Sequence, residues 1–290
     1  MLAVKIEWRY GDYCMEVILA DYLGFCYGVK RAIKIARENA SGEGSPSCTL
    51  GPIIHNPQMV ERLREEGIGT VESLDELEQG TIIIRSHGVG PLIYAEAEKK
   101  GLDVVDATCP HVHKAQMSAK ALSDKGYMVV IIGEKEHPEV QSIFEWSAHK
   151  AVIVETEEEA EALPSCQKMG IVSQTTFSGS RFKEIVGKLL DKSREIKIER
   201  TICTATEQRQ AAAIELAARV DLMLVIGGKN SANTTRLAQL CAEQCTTYHI
   251  ETAAELLPQW FDKIEKIGIT AGASTPDWII KEVYKQCQKK

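Results

Sequence analysis

Three cysteines carry the first chemical signal in this chain. Cys26 in "GFCYGVKRAIKIAREN", Cys109 in "VVDATCPHVHKAQMSAKAL" and Cys203 in "TICTATEQRQAAAIELAARV" each stand just before a run with apolar residues at helical spacing. A single cysteine at a helix start is most often a small buried hydrophobe. Three at matching places form a ligand set, and helix N-termini favour the thiolate that ligation needs.

A second set of polar residues keeps step with the cysteines. His55 in "LGPIIHNPQMVERL" comes 29 residues after Cys26, and His137 in "VVIIGEKEHPEVQSI" comes 28 after Cys109. Ser231 in "LMLVIGGKNSANTTRLAQL" comes 28 after Cys203. A third position follows each time: His87 in "TIIIRSHGVGP", Thr175 in "MGIVSQTTFSGS" and Ser274 in "IGITAGASTPDW". With Asn56 and Asn233, these residues are rich in hydrogen-bond donors and nearly neutral. At helix N-termini they suit a phosphate or diphosphate. Glu139, two residues past His137, is the candidate for handling a proton.

The elements that must position these residues follow from the same stretches. Each is a short apolar strand that ends in glycine or small polar residues and runs on into a helix. The chain therefore reads as three βα-rich units, 15–108, 109–202 and 203–290, preceded by an extension, 1–14, of unclear role. Such alternation implies α/β units with mostly parallel sheets covered by helices. Ligands of such sheets bind beyond the carboxyl ends of the strands, where the singled-out residues fall. Pseudo-threefold packing of the units would bring the three cysteines to one axis.

Composition narrows the class. Of 290 residues 44% are hydrophobic and the formal net charge is −7, so no basic face announces nucleic acid as a partner. No apolar run approaches the roughly 18–20 residues of a membrane span. The first fourteen residues lack the apolar block of a signal peptide. Nine scattered cysteines in such a chain argue for a reduced, cytoplasmic protein and against a disulfide framework. Cys14, Cys48, Cys166 and Cys287 have no counterparts across the repeats. Cys241 and Cys245 share a helix face and read as core. His111, His113, His149 and His249 show no repeating pattern.

Two metals suit three thiolates. Zinc with three thiolates and a water is one, although structural zinc usually takes four ligands and often uses close cysteine pairs that are absent around these three. An iron–sulfur cluster is the better fit, since thiolates are its standard ligands. A cubane on three cysteines leaves one iron open as a Lewis acid for a substrate oxygen, and the cluster can deliver electrons.

Taken together, "LGFCYGVKRAI", "GPIIHNPQMVERL", "RSHGVGP", "VDATCP", "HPEV", "VSQTT", "TICTAT", "GGKNSAN" and "TAGASTPDW" resemble, in order from Met15 to the C-terminus, the 4-hydroxy-3-methylbut-2-enyl diphosphate reductases (the LytB family) of the non-mevalonate route to isoprenoids. The resemblance implies a trefoil of three α/β units around a [4Fe–4S] cluster held by Cys26, Cys109 and Cys203, with one open iron. It implies a diphosphate held by His55, His87, His137, Ser231, Asn233 and Ser274. Glu139 would relay a proton, with Thr175 in the same network. Reductive loss of the substrate hydroxyl as water would give isopentenyl and dimethylallyl diphosphates, with electrons from a ferredoxin or flavodoxin. A monomer without nucleic-acid or membrane partners is expected. The chain departs from the family pattern at Ala232, where many members carry a second serine, at Thr204, where tyrosine is typical, and in "EQRQ", which replaces "TNRQ" or similar.

Two other readings compete. Quinolinate synthase also uses three cysteines and an open-iron cluster, there for dehydration without external electrons. An iron–sulfur or zinc sensor would use the cysteines structurally and needs no organised anion site. The donor set around "HNPQ", "HPEV" and "NSAN" argues against both.

Overall fold

The computed structural model describes residues 9–10, 13–40 and 46–288, so the N-terminal extension 1–14 lies mostly outside the described residues. Of it, β1 (Arg9–Tyr10) and β2 (Tyr13–Cys14) pair antiparallel. The chain continues through β3 (Glu16–Leu19), α1 (Tyr27–Glu38), β4 (Ser47–Leu50) and α2 (Pro57–Glu65). Then come β5 (Ile68–Val71), β6 (Thr81–Ile84), α3 (Pro91–Lys99) and β7 (Asp103–Asp106). The middle of the chain forms α4 (Pro110–Asp124), β8 (Met128–Ile132), α5 (Pro138–Trp146) and β9 (Val152–Val154). It goes on with α6 (Glu157–Ala162), β10 (Cys166–Ser173), α7 (Gly179–Leu189) and β11 (Ser193–Ile198). The last stretch is α8 (Thr204–Ala217), β12 (Leu222–Ile226), α9 (Ala232–Ala242), β13 (Thr246–Ile250), β14 (Lys266–Ala271) and α10 (Asp277–Gln288).

These elements make an α/β fold with three four-stranded sheets, each parallel throughout. The strand orders are β5-β4-β6-β7, β9-β8-β10-β11 and β13-β12-β14-β3. One pattern covers all three: the first strand of the set is central, the second lies outside it, the third flanks it on the other side and the fourth closes that edge. In the third sheet the closing strand comes from the other end of the chain. Val17 pairs with Ile267 and Leu19 with Ile269. The strand that opens the first sequence repeat therefore completes the sheet of the third.

The chain folds into two compact units, 27–54 with 60–203, and 1–26 with 55–59 and 204–290. In the second of these, Leu222, Leu224 and Ile226 of β12 enter one core while Met223 and Val225 enter another. The larger unit repeats this in β8, where Val130 and Ile132 face one core and Val129 and Ile131 the other. Strands buried on both faces read as unbroken apolar runs, and "LMLVI" and "MVVII" are such runs. Among the described residues four α-helices begin with proline: α2, α3, α4 and α5. Proline fits the first helical position and holds the preceding residue extended. That preceding residue is Asn56, Gly90, Cys109 and His137 in turn. The sequence thus places a polar or sulfur-bearing side chain at the mouth of three of these helices.

Candidate active site

Each of the three cysteines is the last residue before a helix: α1, α4 or α8. All three are half-buried and in no disulfide. Their backbone amides show one repeated bond. Cys109 N donates to Ser86 O (3.0 Å), Cys203 N to Thr175 O (3.0 Å) and Cys26 N to Ala273 O (3.1 Å). The acceptors lie in the loops that carry His87, Thr175 and Ser274. Each cysteine is therefore fixed directly to a loop that bears a residue of the polar set. Cys109 and Cys203 belong to the larger unit and Cys26 to the smaller.

In the larger unit, α5 organises the polar residues. His137 caps it, with Nδ1 accepting the N–H of Glu139 at 3.1 Å. An Nδ1 that accepts leaves the proton of the neutral ring on Nε2, so the outer nitrogen is a donor. Glu139 is only 2% exposed. Its Oε1 accepts Thr175 N–H (2.5 Å) and its Oε2 accepts the Thr175 hydroxyl (2.9 Å). Burial pushes the Glu139 carboxyl up to about 7; the two Thr175 bonds oppose that rise and the Glu134 charge adds to it. A carboxyl at that value both holds and releases a proton near neutral pH, with the Thr175 hydroxyl as its neighbour in either state. The His87 ring stands edge-on to His137, centroids 5.5 Å apart.

The smaller unit gathers a second donor cluster. The Ser274 hydroxyl donates to His55 O at 3.1 Å, across 219 residues of sequence. The loop before α9 packs on the same carbonyl: a Cβ at Gly228 would lie 2.8 Å from His55 O, so only glycine allows the approach. Ser231 caps α9 by accepting Thr234 N–H, and Asn56 caps α2 by accepting Met59 N–H at 2.8 Å. The amide nitrogens of Asn56 and Asn233 are buried with no hydrogen-bond partner among the described residues. Buried donors are nearly always satisfied. Two orphaned amides at two helix N-termini fit an acceptor-rich anion.

Sequence reasoning passes over three long polar side chains that hold these loops. Arg209, 4% exposed on α8, donates to Ala271 O (2.9 Å), Gly24 O (2.9 Å) and Tyr22 O (3.3 Å). It ties the approach to Cys26 to the approach to Ser274. Arg31 on α1 donates to Thr108 O (3.0 Å), the carbonyl before Cys109. Gln116 on α4 is 1% exposed and bonds to Ser142 on α5. Each sits one or two turns past a cysteine. That placement is the signal in the sequence. The cysteines set aside there stay apart: Cys241 lies in the core with its thiol pushed up to about 12 by burial, and Cys287 is buried in another core.

Cys26, Cys109 and Cys203 are each half-buried at the start of a helix with the backbone amide tied down, and a thiolate is the standard ligand of iron–sulfur groups.

A family model described as LytB protein matches residues 17–288. A 4-hydroxy-3-methylbut-2-enyl diphosphate reductase of Pelobacter propionicus is 53% identical over 270 residues, covering 93% of this chain and 96% of that protein. The protein of the same name from Geotalea uraniireducens is 51% identical over 276 residues, covering 95% and 98%. Among solved structures, that of an (E)-4-hydroxy-3-methyl-but-2-enyl diphosphate reductase, described as the terminal enzyme of the non-mevalonate pathway, matches with TM-score 0.71 and 45% identity over 94% of this chain and 99% of that one. The E-1-hydroxy-2-methyl-but-2-enyl-4-diphosphate reductase from Plasmodium falciparum matches with TM-score 0.89 and 30% identity over 93% of this chain and 86% of that one.

Proposed function

The chain belongs to the LytB family, and from that membership we propose how its residues carry out the family's reaction, the reduction of 4-hydroxy-3-methylbut-2-enyl diphosphate. The substrate takes up two electrons and two protons, its C–O bond breaks, and the hydroxyl leaves as water. The products are isopentenyl and dimethylallyl diphosphates. An iron–sulfur cofactor belongs with this family, and in our reading it is a [4Fe–4S] cluster on Cys26, Cys109 and Cys203. When bound, it supplies electrons and, at an iron without a protein ligand, a Lewis acid.

The remaining work falls to side chains. His137 presents its Nε2–H, and His87 stands beside it in the same unit. These two, with His55, Ser231, Asn233 and Ser274, bind the diphosphate in our reading. The orphaned amide of Asn233 supports its place there. Ala232 contributes no hydroxyl, so the diphosphate relies on its neighbours at that turn. Glu139 stores the proton that the departing hydroxyl takes, and the Thr175 hydroxyl lies 2.9 Å from it to pass that proton on. The electron donor in this reading is a ferredoxin or flavodoxin, and the protein works as a cytoplasmic monomer. Among the described residues no helix is long and apolar enough to cross a membrane.

The observation that carries the mechanism is Glu139: a fully buried carboxyl, one residue into the first turn of the His137-capped helix, with a value near neutrality. The test begins with anaerobic purification and iron and sulfide analysis, followed by dithionite-driven turnover of the hydroxylated C5 diphosphate. A cubane's iron content with both C5 products is the expected result. A cluster without turnover would overturn the reaction, and zinc in place of iron would overturn the cofactor.

A further inference from the structure

Below His87 and Glu139 runs a hydrogen-bond chain that meets both residues at their backbone carbonyls. Gln116 Nε2 on α4 donates to Ser142 Oγ on α5 at 3.0 Å. The Ser142 hydroxyl in turn faces two carbonyl oxygens, Glu139 O at 2.8 Å and His87 O at 3.1 Å. Its single proton serves both. Donation into Oγ polarises the O–H and strengthens the bond it makes. Gln116 and Ser142 are 1% and 2% exposed, so water does not compete for these bonds. One chain of contacts thus joins the helix that starts at Cys109, the helix that carries His137 and Glu139, and the loop that carries His87.

The loop is shaped for this contact. Gly88, next to His87, has φ +71°, and a Cβ there would lie 2.3 Å from Gln116 Nε2. A second tie follows one turn along α5, where Trp146 Nε1 donates to Val89 O at 2.9 Å. Beside these ties lies a cavity of about 230 Å³, lined by Gly88, Val89, Gly90, Gln141, Ser142 and Glu145 among others. The loop therefore backs partly onto open space. Val89 anchors it in an apolar core, and on the side of the cavity the hydrogen bonds hold it.

We propose that Gln116 and Ser142 are positioning residues: they set the place of His87 against His137 and so the affinity for the diphosphate, without touching it. The proposal rests on the reading that these histidines bind diphosphate. In Ser142→Ala the His87 carbonyl loses the Ser142 hydroxyl and the loop gains freedom to move into the cavity. In Gln116→Leu the same bond is weakened from the other end.

The test uses anaerobically reconstituted holoenzyme, with inorganic pyrophosphate titrated calorimetrically and the C5 diphosphate turned over with dithionite. Both single variants should bind pyrophosphate about tenfold more weakly, the scale of one lost buried hydrogen bond. KM should rise in step, with kcat within twofold and iron content unchanged. Because both act through one contact, the double variant should be no weaker than Ser142→Ala alone. Pyrophosphate affinity and KM within twofold of the parent in both variants would overturn the proposal. So would a parallel loss of kcat and iron, which marks general damage. A parent protein that binds pyrophosphate but does not reduce the C5 diphosphate would overturn the assigned reaction instead, and the pyrophosphate comparison would still decide the positioning role.

Discussion

Glu139 is expensive to keep charged where it is, and that has two consequences that can be measured separately. Its folded value of about 7 lies above the ordinary carboxyl value of 4.5, because burial disfavours the charge more than the Thr175 bonds favour it. The folded state therefore holds a proton that the unfolded chain releases. The resulting stabilisation is full below pH 4.5 and is lost as pH rises through 7, about 3 kcal/mol over that window. Glu139→Gln has no such dependence. Its urea midpoint relative to the parent should climb between pH 5 and pH 8, and a constant difference would contradict the raised value. Turnover should behave quite differently. Glutamine can accept Thr175 N–H but has no proton to give, so kcat should fall by orders of magnitude with the cluster absorbance intact. Near-normal turnover would remove Glu139 from the proton role. The sequence marks this residue by its place beside His137. The partner that defines its state, Thr175, is 36 residues away and meets it only in the fold.

At the scale of elements, the helix starts do the positioning. Cys109 and His137 both precede a proline and both sit extended, at φ −61°, ψ 133° and φ −71°, ψ 131°. The proline removes an N–H that the first turn would leave unpaired and fixes the direction in which the helix departs. Cys109→Ser should keep that backbone and lose the sulfur, so the variant should fold with its cluster lost, as read by absorbance and iron analysis. Full iron occupancy would break the assignment of the three cysteines. Gly88→Ala probes the neighbouring loop. The left-handed backbone costs an L-residue about 1–2 kcal/mol. The added carbon must also displace Gln116 from Ser142. A lower unfolding midpoint together with a raised KM is expected, and a midpoint equal to the parent's would show that the loop adapts freely. Strand ends, cysteines and histidines were legible because each is a local pattern. Arg209, Arg31 and Gln116 show only in their spacing from a cysteine, because the acceptors that explain them, backbone carbonyls and the Ser142 hydroxyl, are brought to them from elsewhere in the chain.

At the scale of the whole molecule, the three sheets share one strand order, and one strand, β3, belongs to a different sheet from the other strands of its sequence repeat. β7 and β11 follow their own sheets along the chain and lead directly to Cys109 and Cys203. β3 leads to Cys26 in the same way, but its sheet is built from β12, β13 and β14. No periodicity within 16–19 reveals a partner near residue 267, so this pairing was out of reach of pattern reading. It yields a paired prediction. Deleting 1–14 leaves β3 in place, and unfolding midpoint and iron content should match the parent. Deleting 1–20 removes the closing strand and the lead-in to Cys26, and iron should be lost even though all three cysteines remain. Equal iron in both deletions would show that β3 does not hold Cys26.

The same pairing orders events during synthesis. Cys26 leaves the ribosome well before Lys266–Ala271, and the strand before it finds its neighbour only when that segment has emerged. Domains ordinarily fold in the order in which they are made. Here β3 is made before the strands of the other two four-stranded sheets and is paired after them. A nascent polypeptide that has not yet reached Lys266 leaves β3 without its partner strand, so the approach to Cys26 settles only after that point of synthesis.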